Sequence, residues 1–291
     1  MKSKISILLP TFNAGSNLFL AVKSILNQSF KNWTLLILDD GSTDNSLEKI
    51  KNLSEKRIKI FINKINKGIS YRLNQGIKLS STKYIARMDS DDIAFPDRLE
   101  KQFNFLEKNK NIDLVSSKAP FFFENSYQIN GFLPYKKYHD LIIKQPWKTI
   151  PMPHPTWMGR CVWFKKNLYK IPPIYLAEDQ ELLLRTMNDS KFHSLPNVLL
   201  AYRKSKFNFY KNLLSRFFLL KSQLKYFFKN KKILFSIFAI NLFFLKLIID
   251  FIKLFFIFFK INLSKNYKNK KIYETNIDFA NLVNSLKKNE C

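Results

Sequence analysis

The first 120 residues alternate two rhythms of apolar and polar positions. Short β-rich runs fall at 5–9, 33–38, 58–62, 84–88 and 113–116, and stretches with amphipathic helical spacing separate them at 16–27, 43–53, 68–79 and 96–107. This alternation predicts an α/β fold with a mostly parallel central sheet flanked by helices. The acids that follow Gly41-Ser42-Thr43, and Pro96 opening a helix behind an apolar residue, are helix-start signals.

Between 118 and 173 the regularity fails. Pro134, Pro146, Pro151, Pro153, Pro155, Pro172 and Pro173 predict loops and short strands, a region able to shape a pocket. Helical spacing returns at 178–187 behind Glu178 and Asp179, and a short strand at 198–202 closes the unit. After Lys206 the composition turns abruptly to Phe, Leu, Ile, Lys and Asn. The run 233–261 is long enough to cross a bilayer, yet Lys246, Asp250, Lys253 and Lys260 interrupt it on one helical face. That pattern predicts an in-plane amphipathic helix with one basic stripe; packing onto the main domain or a dimer partner is the alternative. Residues 265–291 read as a polar tail with one short helix. The expected organisation is a main domain at 1–206, in halves 1–117 and 118–206, and a helical extension at 207–291.

The chain has 291 residues with 46% apolar content, enough for a large core, and this excludes wholesale disorder. Its formal net charge is +27, and residues 203–291 hold 19 basic against 4 acidic side chains, so a polyanionic or membrane-surface partner is expected to meet the C-terminal third. Two cysteines, Cys161 and Cys291, do not make a disulfide framework and suit a reducing compartment. The apolar run 5–9 behind Met-Lys-Ser-Lys is too short for a signal-peptide core, so the chain is expected to be cytosolic or to face the cytosol.

The strongest chemical signal is Met-Asp-Ser-Asp-Asp at 88–92, just after a strand. Three carboxylates within four residues repel one another unless a cation neutralises them, and a hard divalent ion with oxygen ligands does so. Mg²⁺ or Mn²⁺ bridging to a diphosphate is the expected tenant, because ligands of open α/β sheets gather at the carboxyl ends of strands. Alone, such acids would only cap the next helix. A second cluster, Leu-Asp-Asp-Gly-Ser-Thr-Asp at 38–44, also ends a strand; Asp40 is placed to accept hydrogen bonds from a base or ribose, while Gly41 permits a tight turn. Pro10 ends the first strand beside the same edge. Glu178 and Asp179 start a helix, where acids commonly complement the helix dipole; if that helix faces the crevice, one of them can take a proton from a hydroxyl. His154 stands without clustered Cys or His, so no zinc site is expected. Neither a Gly-x-x-x-x-Gly-Lys loop nor Gly-x-Gly-x-x-Gly occurs, and phosphate must be held through metal and basic side chains.

Taken in order, LPTFN, ILNQSFKNWTLLILDDGSTD, NKGISYRLNQGI, KYIARMDSDDIAFPDRLEKQ, HPTWMGR and AEDQELLLR resemble family 2 of the inverting glycosyltransferases, which have the A-type fold. The resemblance spans about residues 5–203. It implies that 1–117 binds a nucleotide-diphosphate sugar, UDP-linked by the match at Asp40, and that 118–206 binds the acceptor. It further implies that Pro10, Thr11 and Phe12 line the base, that Asp40 binds uracil, that Lys67 and Gly68 pass near the nucleotide, and that Asp89 and Ser90 belong to the donor site. Asp89 and Asp91 match the Asp-x-Asp pattern, with Asp91 the direct metal ligand, and Asp179 matches the catalytic base. Leu73 departs from the pattern where many members carry Arg, with Arg72 adjacent as a substitute. The expected activity is transfer of a sugar to a glycan or lipid-linked acceptor in cell-surface polysaccharide synthesis, on the cytoplasmic face of the inner membrane and against an anionic lipid surface. A metal-dependent nucleotidyltransferase, an inactive sugar-nucleotide binder and a basic nucleic-acid-binding protein are the rivals. The last leaves the acidic crevice unexplained, and no nucleic-acid partner is expected.

Overall fold

Every residue of β1 (Ile5–Thr11) is buried, because this strand lies inside the main sheet with helices on both faces. The computed structural model describes residues 3–123, 126–174, 176–259 and 270–288. After β1 come α1 (Asn17–Leu26), β2 (Trp33–Asp39), α2 (Glu48–Lys51), β3 (Ile58–Ile62), α3 (Ile69–Leu79), β4 (Tyr84–Arg87), β5 (Ile93–Ala94), α4 (Arg98–Lys108) and β6 (Leu114–Lys118). The second half holds β7 (Pro120–Phe123), β8 (Ile129–Phe132), α5 (His139–Ile143), β9 (Met158–Arg160), α6 (Cys161–Lys166), α7 (Glu178–Thr186), β10 (Phe192–Val198) and β11 (Leu200–Lys204). The helices α8 (Phe209–Lys229), α9 (Ile233–Phe258) and α10 (Lys270–Lys288) follow.

Seven strands form the main sheet in the order β10-β6-β9-β4-β1-β2-β3. β1, β2, β3 and β4 run parallel, β10 is parallel to β6, and the three-residue β9 lies antiparallel between β4 and β6. One core packs α1 and α4 on one face around Ile7, Leu9, Trp33 and Phe103; a second packs α3, α6 and α7 on the other around Leu8, Leu38, Ile77 and Phe164. Helix α3 approaches closely because residue 76 is Gly: a Cβ there would stand 2.7 Å from Leu38 Cδ1 and 2.8 Å from Leu8 Cδ2. A smaller sheet, β5-β11-β7-β8, stands beside the carboxyl ends of the main strands.

Three expectations need correction. The strand expected at 198–202 is divided at Leu199, and most of β10 lies upstream of it. β10 carries His193, Ser194, Pro196 and Asn197, a weak strand composition that an edge position with a register shift between Leu195 and Val198 tolerates. The polar tail contains a 19-residue helix, α10, which seats Phe279, Leu282, Val283 and Leu286 against Phe122 and Ile129. Part of the stripe of α9 also faces otherwise than expected. Asp250 is buried and bound by Arg216 of α8, with Nη2 to Oδ1 at 2.9 Å, and Lys246 is half-buried beside it, so these two groups turn toward protein, while Lys253 of the same stripe is exposed. Lys260 and residues 261–269, to which the basic stripe and the start of the tail were assigned, lie outside the described residues, as does Cys291.

Candidate active site

The loops after β1 and β2 are tied together at the carboxyl edge. Asn13 Oδ1 accepts from Thr43 N at 2.8 Å, Ser42 Oγ accepts from Asn13 N at 2.9 Å, and Asp44 accepts from Gly15 N at 2.8 Å. Pro10 and Thr11 are buried under this knot, while Phe12 stands 47% exposed. Gly41 takes φ +83°, the left-handed turn that the sequence required of it. Asp40 is buried, and its carboxylate accepts from Lys67 N at 2.9 Å, Gly68 N at 2.7 Å and Arg72 Nε at 2.6 Å. Arg72 is thus spent on Asp40 and Gln75, not offered to a diphosphate in place of residue 73, and Leu73 belongs to the core. Asn74 exchanges two hydrogen bonds, both 2.9 Å, with the backbone of Tyr169 and clasps α3 to the segment before α7.

The acidic run after β4 divides into three environments. Arg87, on the last residue of β4, grips Asp89 through both guanidinium Nη atoms, Nη1 to Oδ2 at 2.9 Å. Asp92 is fully buried; its Oδ1 accepts from Arg203 N of β11 at 2.8 Å, and its Oδ2 has no partner among the described residues. Burial, with Asp89 and Asp91 nearby, raises the Asp92 carboxyl well above the ordinary range. Asp91 is half-buried, and among the described residues its carboxylate accepts no hydrogen bond from another residue. Burial and the charge of Asp89 push it up to about 6. The repulsion that the sequence assigned to a cation is therefore answered partly by Arg87 and Arg203. What remains unanswered is concentrated on Asp91.

Across from this run, α7 presents Glu178 and Asp179 in its first turn. Gln180 donates Nε2 to Asp179 Oδ2 at 3.1 Å, and its Oε1 accepts from Ile150 N at 2.7 Å, so one side chain fixes both the acid and the proline-rich wall. His154 lies in a short 3-10 turn, hydrogen-bonded through Nε2 to the Tyr169 hydroxyl at 2.7 Å, with Nδ1 at 3.8 Å from Glu178. Burial, aided by Arg87, lowers its pKa far enough to keep it neutral. Burial and Asp179 push Glu178 up to about 8, and burial raises Asp179 as well.

Asp89, Asp91 and Asp179 line one cavity of about 600 Å³, whose other walls include Arg87, His154, Tyr202, Arg203 and Lys211. Pro10, Thr11, Phe12, Asp40, Lys67, Gly68 and Ser90 are outside its lining; Gly68, bound to Asp40, precedes the lining residue Ile69 in the chain, and Ser90 stands between Asp89 and Asp91. The size suits a small-molecule ligand. A divalent cation fits the donor set: Asp91 offers uncommitted carboxylate oxygens in a polar cavity, with Asp89 alongside. Among the described residues no three His, Cys, Asp or Glu side chains form a cage, so diphosphate oxygens and water would complete the coordination. Arg87, Tyr202, Arg203 and Lys211 were not singled out from the sequence. Arg87 stands two residues before Asp89, and that spacing in Ala-Arg-Met-Asp is the one local signal that could have found it; the others come from elements distant in the chain.

A mostly parallel sheet with an acidic rim and an acid-bearing helix across one cavity is the architecture of sugar-nucleotide transferases. The chain belongs to glycosyl transferase family 2, whose sequence profile matches residues 6–168. It is 32% identical to the putative glycosyltransferase EpsE of Bacillus subtilis over 207 residues, 69% of this chain and 73% of that protein. It is 34% identical over 140 residues to an Escherichia coli protein, UDP-Glc:alpha-D-GlcNAc-diphosphoundecaprenol beta-1,3-glucosyltransferase WfgD, covering 48% of this chain and 55% of WfgD. Among solved structures, residues 1–349 of S. aureus TarS in complex with UDP share the fold at TM-score 0.59 and 17% identity, over 76% of this chain and 65% of that one. The mannosyltransferase PcManGT from Pyrobaculum calidifontis, in complex with GDP-Man and Mn²⁺, does so at TM-score 0.60 and 14% identity, over 77% of this chain and 64% of its own. The protein is a glycosyltransferase with the A-type fold.

Proposed function

We propose that this enzyme moves a sugar, with inversion, from a UDP-linked donor to a hydroxyl of a glycan or lipid-linked acceptor during cell-surface polysaccharide synthesis, with Mg²⁺ or Mn²⁺ bound. The observation that carries the reading is the placing of Asp91 and Asp179 in the lining of one cavity, the first with free carboxylate oxygens and the second oriented by Gln180. Asp91, with Asp89 beside it, would hold the metal, which when bound neutralises charge on the leaving diphosphate. Lys211 and Arg203 add positive charge on the same walls. Pro10, Thr11 and Phe12 form the base-side edge. Asp40 positions the 67–72 segment; three donors on a carboxylate with about four acceptor sites leave one for a uracil N–H. Asp179, its basicity raised by burial, accepts the proton of the acceptor hydroxyl as that oxygen attacks the anomeric carbon from the face opposite the diphosphate. A single displacement inverts the centre. The WfgD match supports a UDP donor and a lipid-borne acceptor.

The same reading places the enzyme peripherally on the cytoplasmic face of the inner membrane. Helix α9 is long and apolar enough to cross a bilayer, but only 17% of its most apolar window is buried by protein. It packs on α8 through Arg216–Asp250 and on the main domain through Trp147 against Phe235 and Phe238. Crossing would drag the α8 lysines into hydrocarbon at roughly 2.5–3.5 kcal/mol each, whereas lying in the interface leaves them wet. The deciding test is Asp179→Asn with UDP-sugars and Mn²⁺: UDP binding is expected to stay within a few fold while transfer drops by about 10²–10⁴. Unchanged transfer would remove Asp179 from the chemistry.

A further inference from the structure

Several polar side chains in the walls of the catalytic cavity are already committed to protein partners. Arg87 holds Asp89, His154 is bound to the Tyr169 hydroxyl, and Gln180 joins Asp179 to Ile150. Tyr202 is different. It lines the same cavity and is half-buried, and among the described residues its hydroxyl makes no hydrogen bond. Its position is nonetheless fixed. Tyr202 pairs with Phe121 of β7, and its ring packs against the core under α1 and α4. The next residue ties β11 to the acidic run twice, Arg203 N donating to Asp92 Oδ1 at 2.8 Å and Arg203 Nε to the Asp91 carbonyl at 2.7 Å. The phenol therefore stands on a strand pinned to the loop that carries Asp91.

Burial and the charges of Asp89, Asp92 and Asp91 raise the Tyr202 pKa above the ordinary tyrosine value, so the hydroxyl stays protonated through the physiological range. A neutral donor that lies in the field of three carboxylates and bonds to none of them is left to donate to a ligand. The ligand atoms expected beside Asp91 are the oxygens of a metal-bridged diphosphate. We propose that the Tyr202 hydroxyl donates a hydrogen bond to the β-phosphate of the nucleotide-sugar donor and stabilises the diphosphate as it leaves. A donor already held in place needs no reorganisation as negative charge gathers on the departing oxygens, and its bond to a charged acceptor is stronger than one to a neutral sugar hydroxyl. This assignment rests on the transferase reading above and adds an uncharged donor to the groups that meet the leaving group.

The test is Tyr202→Phe in the full chain, a change that keeps the ring and removes only the donor. In calorimetry with Mn²⁺, UDP binding is expected to weaken roughly fivefold or more, while UMP, which has no β-phosphate, binds as it does to the wild type. With a UDP-sugar, transfer should fall by about 10–10², the loss lying in kcat more than in the KM of the acceptor. Unchanged UDP affinity and transfer would overturn the proposal. So would equal weakening of UDP and UMP, which makes ring packing the cause, or an effect confined to the acceptor KM, which assigns the hydroxyl to the acceptor. Wild-type protein that binds no UDP in Mn²⁺ would sink the donor reading itself, whereas wild-type binding that Tyr202→Phe leaves untouched would sink only the role of this hydroxyl.

Discussion

Helices α3 and α9 obey one rule and have opposite surfaces. α3 buries Leu73 and Ile77 against the sheet and shows Lys78 to solvent. α9 buries Ser236 and Asp250 and shows Ile248, Phe251 and Phe255, each more than half exposed. A helix that buries Ser236 and Asp250, leaves Asn241 and Lys253 exposed and turns many of its Ile and Phe residues outward is, on the proposed reading, completed by an apolar medium. The catalytic rim differs again: there burial is used to hold charge, each acid meeting a different answer within a few residues.

The largest effect is expected where charge is least answered. Asp91→Asn should lower metal-dependent transfer by about 10²–10³ and abolish the stabilisation of the fold by UDP with Mn²⁺, read as a melting-temperature shift. The same loss from Asp92→Asn, with Asp91 intact, would break the division of labour among the three acids. The surface of α9 is tested by Phe244→Lys with Ile248→Lys and Phe255→Lys, which should move the enzyme from membranes to the soluble fraction, since each such side chain contributes about 1.5–3 kcal/mol on full burial. Retention on membranes would show that α9 is not the contact. Asp250→Ala should cost about 3 kcal/mol in denaturant unfolding by leaving Arg216 without its buried partner. The smallest effect concerns Glu178. Its carboxyl titrates near 8 in the folded chain against 4.5 without burial, so the native state holds the extra proton between those values, and stability falls as pH rises through them. Glu178→Gln should flatten that slope in melts from pH 5 to 8; an unaltered slope would place the titration elsewhere.

Much of the fold was legible because the parallel strands read as apolar runs and their helices as periodic ones. β9 was not: three residues, Met158 to Arg160, carry no periodicity, and only pairing with β4 and β6 defines them. α10 did carry its period, at Phe279, Leu282, Val283 and Leu286, but Asn, Ser and Lys between them hid it in a polar average. Within the site, Asp89, Asp91 and Asp179 were legible as acids at strand and helix ends, and they share the cavity. Arg203 and Lys211 were not, because nothing local in Ala-Tyr-Arg-Lys, or in the first turn of a Phe-rich helix, indicates which cavity the fold brings them to. The orientation of the α9 stripe was also beyond the sequence. Helical spacing placed Lys246 and Asp250 on one face, but the choice between water and α8 depended on Arg216, thirty-four residues upstream of Asp250.

The short strand β9 has a consequence for biosynthesis. Among the described residues it is the sole lateral link between β4 and β6 in the main sheet, and β6 otherwise pairs only with β10. On a ribosome releasing the chain from its N-terminus, the first four parallel strands can assemble early, but β6 waits with both edges open until residues 158–160 and then 192–198 emerge. Nascent protein must cross that interval with an exposed strand, a period in which holdase chaperones have their natural target.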